Sequence, residues 1–209
     1  MCVCDCTYAY LQKSSSVELQ KMLWSESKHC HLLKIFVVTA PDGYIMYCSK
    51  TYAPDNKASD SDILLETIEA EEFKSWLRKN DTILVDRGFN SIYENPYELN
   101  IVSPLYLNGQ AQFTVEQANF NRGVTAFRYV VEIANRRLRE WKVIGQEIPN
   151  NRIEIISKLF QLCAAFENMF REEKKTRREE KEILSFITKA SAKKTNSSTS
   201  KKKIWIQPD

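Results

Sequence analysis

Three carboxylates sit where chemistry could be done. Asp5 lies inside an alternating run of Val, Cys, Thr and Tyr, Asp86 follows the apolar run Thr82-Ile83-Leu84-Val85, and Glu132 lies in a long amphipathic segment. Phosphodiester cleavage by a two-metal mechanism needs about three such acids from different elements, converging on two hard cations about 3.5–4 Å apart that activate a water and steady the leaving oxygen. Asp5 and Asp86 are 81 residues apart and Asp86 and Glu132 another 46, so only the fold can bring them together. Each acid also has a plainer reading. An Asp after a strand is commonly a turn former, and Glu132 has Arg128 and Arg136 four residues to either side as ion-pair partners.

The surroundings of Glu132 are basic. Between residues 122 and 142, Arg122, Arg128, Arg136, Arg137, Arg139 and Lys142 face only Glu132 and Glu140, a local net charge of +4. Arg128, Arg136 and Arg139 fall near the Glu132 side of the helix, where they suit the gripping of phosphates beside a metal site.

The elements that must position these residues can be read from periodicity. Residues 1–11 alternate as a strand, with Val3, Asp5 and Thr7 on one face and Cys2, Cys4 and Cys6 on the other. Runs at 32–39 and 44–48 around Pro41-Asp42-Gly43 predict a hairpin. After a polar loop at 54–58, Ser59 and Asp62 form a capping-box pattern that opens a helix or helix pair reaching about residue 79. Residues 82–85 predict a buried strand ending at Asp86, and 99–102 a weaker one before Pro104. Thr114 caps a helical stretch expected to restart after Gly123, where Val124, Phe127, Val131, Ala134, Leu138 and Trp141 form one apolar stripe. A further helix is expected over 150–170. The predicted class is α/β, a mixed five-stranded sheet flanked by helices, an order found in ribonuclease H-like domains.

The 209 residues, 43% hydrophobic and 27% charged, suffice for one substantial core. Domain organisation is read as 1–170 for the folded body, 171–190 for a charged C-terminal helix and 191–209 for a disordered Lys-rich tail. Six lysines fall in 189–203, leaving 24 of the 30 basic residues against 27 acidic ones, so nucleic-acid binding must rest on local patches. No run approaches the roughly 18 apolar residues of a membrane span, so no membrane partner and an intracellular location are expected. The lysines at 193–194 and 201–203 read equally as a nuclear import signal, a DNA-contacting tail or a solubilising tail. The crowding of Cys2, Cys4 and Cys6 and the scatter of Cys30, Cys48 and Cys163 argue for reduced thiols. The C-x-C-x-C and His29-Cys30-His31 spacings match no common zinc motif, and no nucleophile elbow accompanies the two histidines.

Taken in order, Asp5-Cys6-Thr7-Tyr8, Trp24-Ser25 with Lys28, Lys34, Asp42-Gly43-Tyr44-Ile45, Ser59-Asp60, Val85-Asp86-Arg87-Gly88-Phe89 and the segment from Arg128 through Asn135 to Trp141-Lys142 resemble the blocks of the DDE endonuclease domain of PIF/Harbinger-like transposases. The connecting loop, with Pro104, Gly109-Gln110, Glu116 and Ala118-Asn119, is similar too, so the resemblance covers about residues 3–170. It departs at Arg136, where the family commonly has glycine, and in the loop 49–54. The resemblance implies a ribonuclease H-like fold in which Asp5, Asp86 and Glu132 bind two Mg²⁺ or Mn²⁺ ions. It implies hydrolysis at transposon ends, strand transfer from the freed 3′-hydroxyl, and a nuclear location with the cytoplasm as alternative. Lys28 and Arg87 are placed near the DNA backbone, with Arg128, Arg136 and Arg139 as further DNA contacts. Family members usually carry a helical DNA-binding region before the first catalytic strand, whereas Asp5 follows only four residues here, so a separate DNA-binding partner is expected; a homodimer is what the resemblance to transposases implies. A catalytically inactive or domesticated relic that binds DNA or protein stands as the alternative.

Overall fold

The structure, a computed structural model, describes residues 1–54, 58–89 and 98–170. The expectations for 171–190 and 191–209 lie outside the described residues. A short helix α1 (Val17–Leu23) follows strand β1 (Cys2–Tyr10), its first turn capped by the Ser16 hydroxyl, which accepts from the Leu19 N–H. Next come β2 (Trp24–Ser25), β3 (Cys30–Thr39) and β4 (Ile45–Tyr52). Helices α2 (Asp60–Glu69) and α3 (Glu71–Lys74) precede β5 (Thr82–Leu84) and β6 (Asn100–Val102). The chain then turns helical, with α4 (Val115–Glu140), α5 (Lys142–Gly145), a 3₁₀ stretch Asn150–Ile155 and α6 (Ile156–Phe170).

The strands make one mixed sheet. β1 lies antiparallel to β3 and parallel to β5, β6 runs parallel to β5, and β4 pairs antiparallel with the other edge of β3. Among the described residues the sheet has six strands rather than the five expected, because Trp24–Ser25 pairs with the first two residues of β3. Two residues give no alternation to read, which is why the sequence hid this strand. The β3–β4 hairpin turns at Asp42-Gly43, where Gly43 takes φ 90°, a conformation that costs other residues a Cβ clash. The Asp42 carboxylate accepts from the Tyr44 N–H across that turn.

Side-chain alternation along β1 divides the core in two. Cys2, Cys4 and Cys6 pack with Ile63, Leu64 and Ile68 of α2 and Phe73 of α3 on one face of the sheet. Val3 and Ala9 pack on the opposite face with α4, α5 and α6, through the expected residues Val124, Phe127, Val131, Ala134 and Leu138. All six cysteines are free. Helix α4 runs through Gly123 without a restart, correcting the sequence expectation. Gly123 is buried, and the continuous apolar face packed on the sheet outweighs the roughly 1 kcal/mol that a mid-helix glycine costs. No described helix is long and apolar enough to cross a membrane.

Candidate active site

The parallel pairing of β1 with β5 places the first two acids. Cys2 lies opposite Ile83 and Val3 opposite Leu84. Two residues further along each chain come Asp5 on β1 and Asp86 just past β5, so the register carries the two aspartates side by side to where β5 stops and β1 continues. Helix α4 packs across this notch with Arg128, Glu132 and Asn135 at i, i+4 and i+7, one side of a helix.

Arg128 ties the acids together. Its guanidinium, only 13% exposed, reaches Asp86 Oδ1 through Nη1 at 3.0 Å and Glu132 Oε1 through Nη2 at 3.6 Å. Asp86 Oδ1 also accepts from the Arg87 N–H at 2.6 Å. Asp5, on the same side, accepts from Asn135 Nδ2 at 3.2 Å through its Oδ2. Burial pushes the Asp5 carboxyl up to about 6 against the downward pull of Arg128 and the Cys6 N–H, and the Asp86 and Asp60 charges push it up further. Asp5 and Asp86 are therefore electrostatic neighbours, with Arg128 the cation they share.

The donors here are hard oxygens, the kind Mg²⁺ and Mn²⁺ take. Asn135 Oδ1 adds a buried oxygen that has no hydrogen-bond partner. The chemistry of the set fits a divalent cation. Its spacing does not yet do so: among the described residues no three His, Cys, Asp or Glu side chains are gathered closely enough to hold a metal ion. Asp86 and Glu132 close instead on the guanidinium.

The structure does not gather the other predicted DNA contacts at the acids. Arg87 lies over the Tyr106 ring, 5.6 Å from its centroid, and its carbonyl accepts from the Tyr106 hydroxyl at 2.6 Å. Lys28 lies over the Tyr8 ring at 5.4 Å. Arg139 donates through Nε to the Asn135 carbonyl at 3.3 Å, while exposed Arg136 pairs with Glu140 at 3.9 Å rather than with Glu132. Two neighbours of the acids escaped the sequence reading of the site. Asn135 shows only as a polar residue on the inward side of α4, and its partner is 130 residues away. Asp60, the first residue of α2, pairs with half-buried Lys34 at 3.0 Å and accepts a hydrogen bond from the Cys6 thiol; both positions stand in the recognised blocks, but nothing in their spacing pairs them.

A mixed α/β domain with an acid-bordered notch at the end of its parallel strands is the class that fold and site define. The chain matches the family model for the DDE superfamily endonuclease over residues 4–168, a span that includes all three acids, and it belongs to that family. Neither a curated protein nor a solved structure matches it.

Proposed function

We propose that this chain is the ribonuclease H-like catalytic domain of a PIF/Harbinger-type transposase, a DNA endonuclease and strand transferase with Asp5, Asp86 and Glu132 as its catalytic acids. The carrying observation is the guanidinium of Arg128 joined to Asp86 and Glu132 beside Asp5, since carboxylates that converge on one cation can converge on another. The strand order supports this reading: β1, β3 and β4 each antiparallel to the next, then β5 and β6 parallel to β1, is an order expected of a ribonuclease H-like domain.

Asp5, Asp86 and Glu132 would hold two Mg²⁺ or Mn²⁺ ions, which when bound supply an activated water and charge stabilisation for the leaving oxygen. Asp5 brings a carboxylate that is costly to ionise where it stands, so a positive partner gains more from it than from an exposed acid. Arg87, next to Asp86, and Lys28, over the Tyr8 ring, are read as contacts to backbone phosphates, with Arg136 and Arg139 extending that surface along α4. DNA is the substrate in this reading. A DNA-binding protein partner, a homodimer and a nuclear location belong to the same proposal.

One observation favours a second reading. With Asp86 and Glu132 both engaged by Arg128, the chain could also serve as a domesticated relic that binds DNA or protein without cutting. Incubation of the purified chain with supercoiled DNA in Mg²⁺ or Mn²⁺ separates the two. The enzyme reading expects nicking that disappears in Asp86→Ala, and equal nicking by that variant would defeat it.

A further inference from the structure

Arg128 is set more deeply than its partners. Its side chain is 13% exposed, against 45% for Asp86 and 51% for Glu132, so it is set between the helix and the notch rather than lying over the acids from solvent. The position is a costly one. Arg128 Nε is buried with no hydrogen-bond partner, a penalty of about 1–3 kcal/mol that the two carboxylates must offset. One positive charge also serves three neighbouring acids, so the pocket stays under-compensated. Anything that takes the carboxylates away leaves the guanidinium with the penalty and without the compensation.

We propose that Arg128 is a positioning residue that holds Asp86 and Glu132 together in the metal-free chain and is displaced when a divalent cation takes them, so that metal loading and release of Arg128 are one exchange. This deepens the metal-site reading above and rests on it. The exchange gives the protein a pre-gathered acid pair without like-charge repulsion, at the cost of weaker cation binding. Released, the guanidinium stays on the Glu132 side of α4, one turn away and free to meet a phosphate.

Calorimetric titration of the full chain with MnCl₂ tests the exchange without reference to cleavage. Removing the competitor in Arg128→Gln should tighten Mn²⁺ binding roughly tenfold, the equivalent of one modest charge–charge interaction. Arg128→Lys keeps the charge but loses the fork that reaches both acids, so its affinity should fall between the two, which keeps the test alive should the Gln variant not fold. In the wild-type chain, the Nε–H resonance of Arg128 should shift as diamagnetic Mg²⁺ is added. Equal or weaker Mn²⁺ binding by the variants, or an Arg128 signal indifferent to Mg²⁺ at saturation, overturns the exchange and leaves the metal site standing. A wild-type chain and variants that all fail to bind either ion overturn the metal site itself, and the exchange with it.

Discussion

Asp5 is the residue whose environment most needs a cation. Its carboxyl is raised to about 6, first by burial, and Arg128 and the Cys6 N–H only partly counter this. An acid whose pKa is higher folded than unfolded stabilises the fold below its unfolded value, near 3.8, and that stability is lost as pH rises through about 6. In chelator, Asp5→Asn should therefore raise the unfolding midpoint at pH 7–8, by up to about 3 kcal/mol in stability, and the gain should vanish below about pH 4. Urea titrations at the two pH values measure it; a gain that persists at low pH would trace the effect to packing instead. Little of this could be read from the sequence. Alternation put Asp5 on the face away from the cysteines, but its neighbours Arg128 and Asn135 lie 123 and 130 positions along the chain. The pairing of Arg128 with Glu132 was visible at i+4, whereas its longer reach to Asp86 was not.

Two elements do the positioning, the β1–β5 pair and helix α4; the strands and the helix were legible from their patterns, whereas the parallel pairing of β1 with β5 was not. The six-residue apolar stripe of α4 announced which side would meet the sheet, and five of those six residues are buried there. The shorter pieces were not legible. Seven residues of α1 make fewer than two helical turns and two of β2 a single alternation, too little to set a pattern apart; over 59–79 the expected helix pair is present, broken at Ala70, whose ψ of 123° leaves the helical region, but it stops at Lys74 rather than near 79. The end of α4 is held by close contact with α5. A Cβ on Gly145 would come within 1.8 Å of the Arg139 carbonyl oxygen, a backbone atom that cannot swing aside. Gly145→Ala should cost about 2 kcal/mol or more in urea unfolding by forcing α5 off the helix end, while leaving the notch residues unchanged in sequence. An unchanged midpoint would mean that the contact relaxes freely.

At the scale of the whole chain, the sheet separates two cores and leaves an acid-bordered notch where β5 ends and β1 runs on. The body has more acids than bases once the lysine-rich 189–203 segment is set aside, so in the proposed reading attraction for DNA would have to come from side chains around that notch and along α4. Spacings of 81 and 46 residues contain no distance information, and the site became legible only because successive blocks fell in family order, a match that the DDE endonuclease model extends over residues 4–168. What no spacing could give is the state of the acids, closed on an arginine. The most direct test is diffraction at the manganese edge from crystals of the chain grown in MnCl₂. Anomalous peaks bounded by Asp5, Asp86 and Glu132, with Arg128 turned away, are the expected result; manganese bound elsewhere, with Arg128 still paired to both acids, would contradict the proposed metal site.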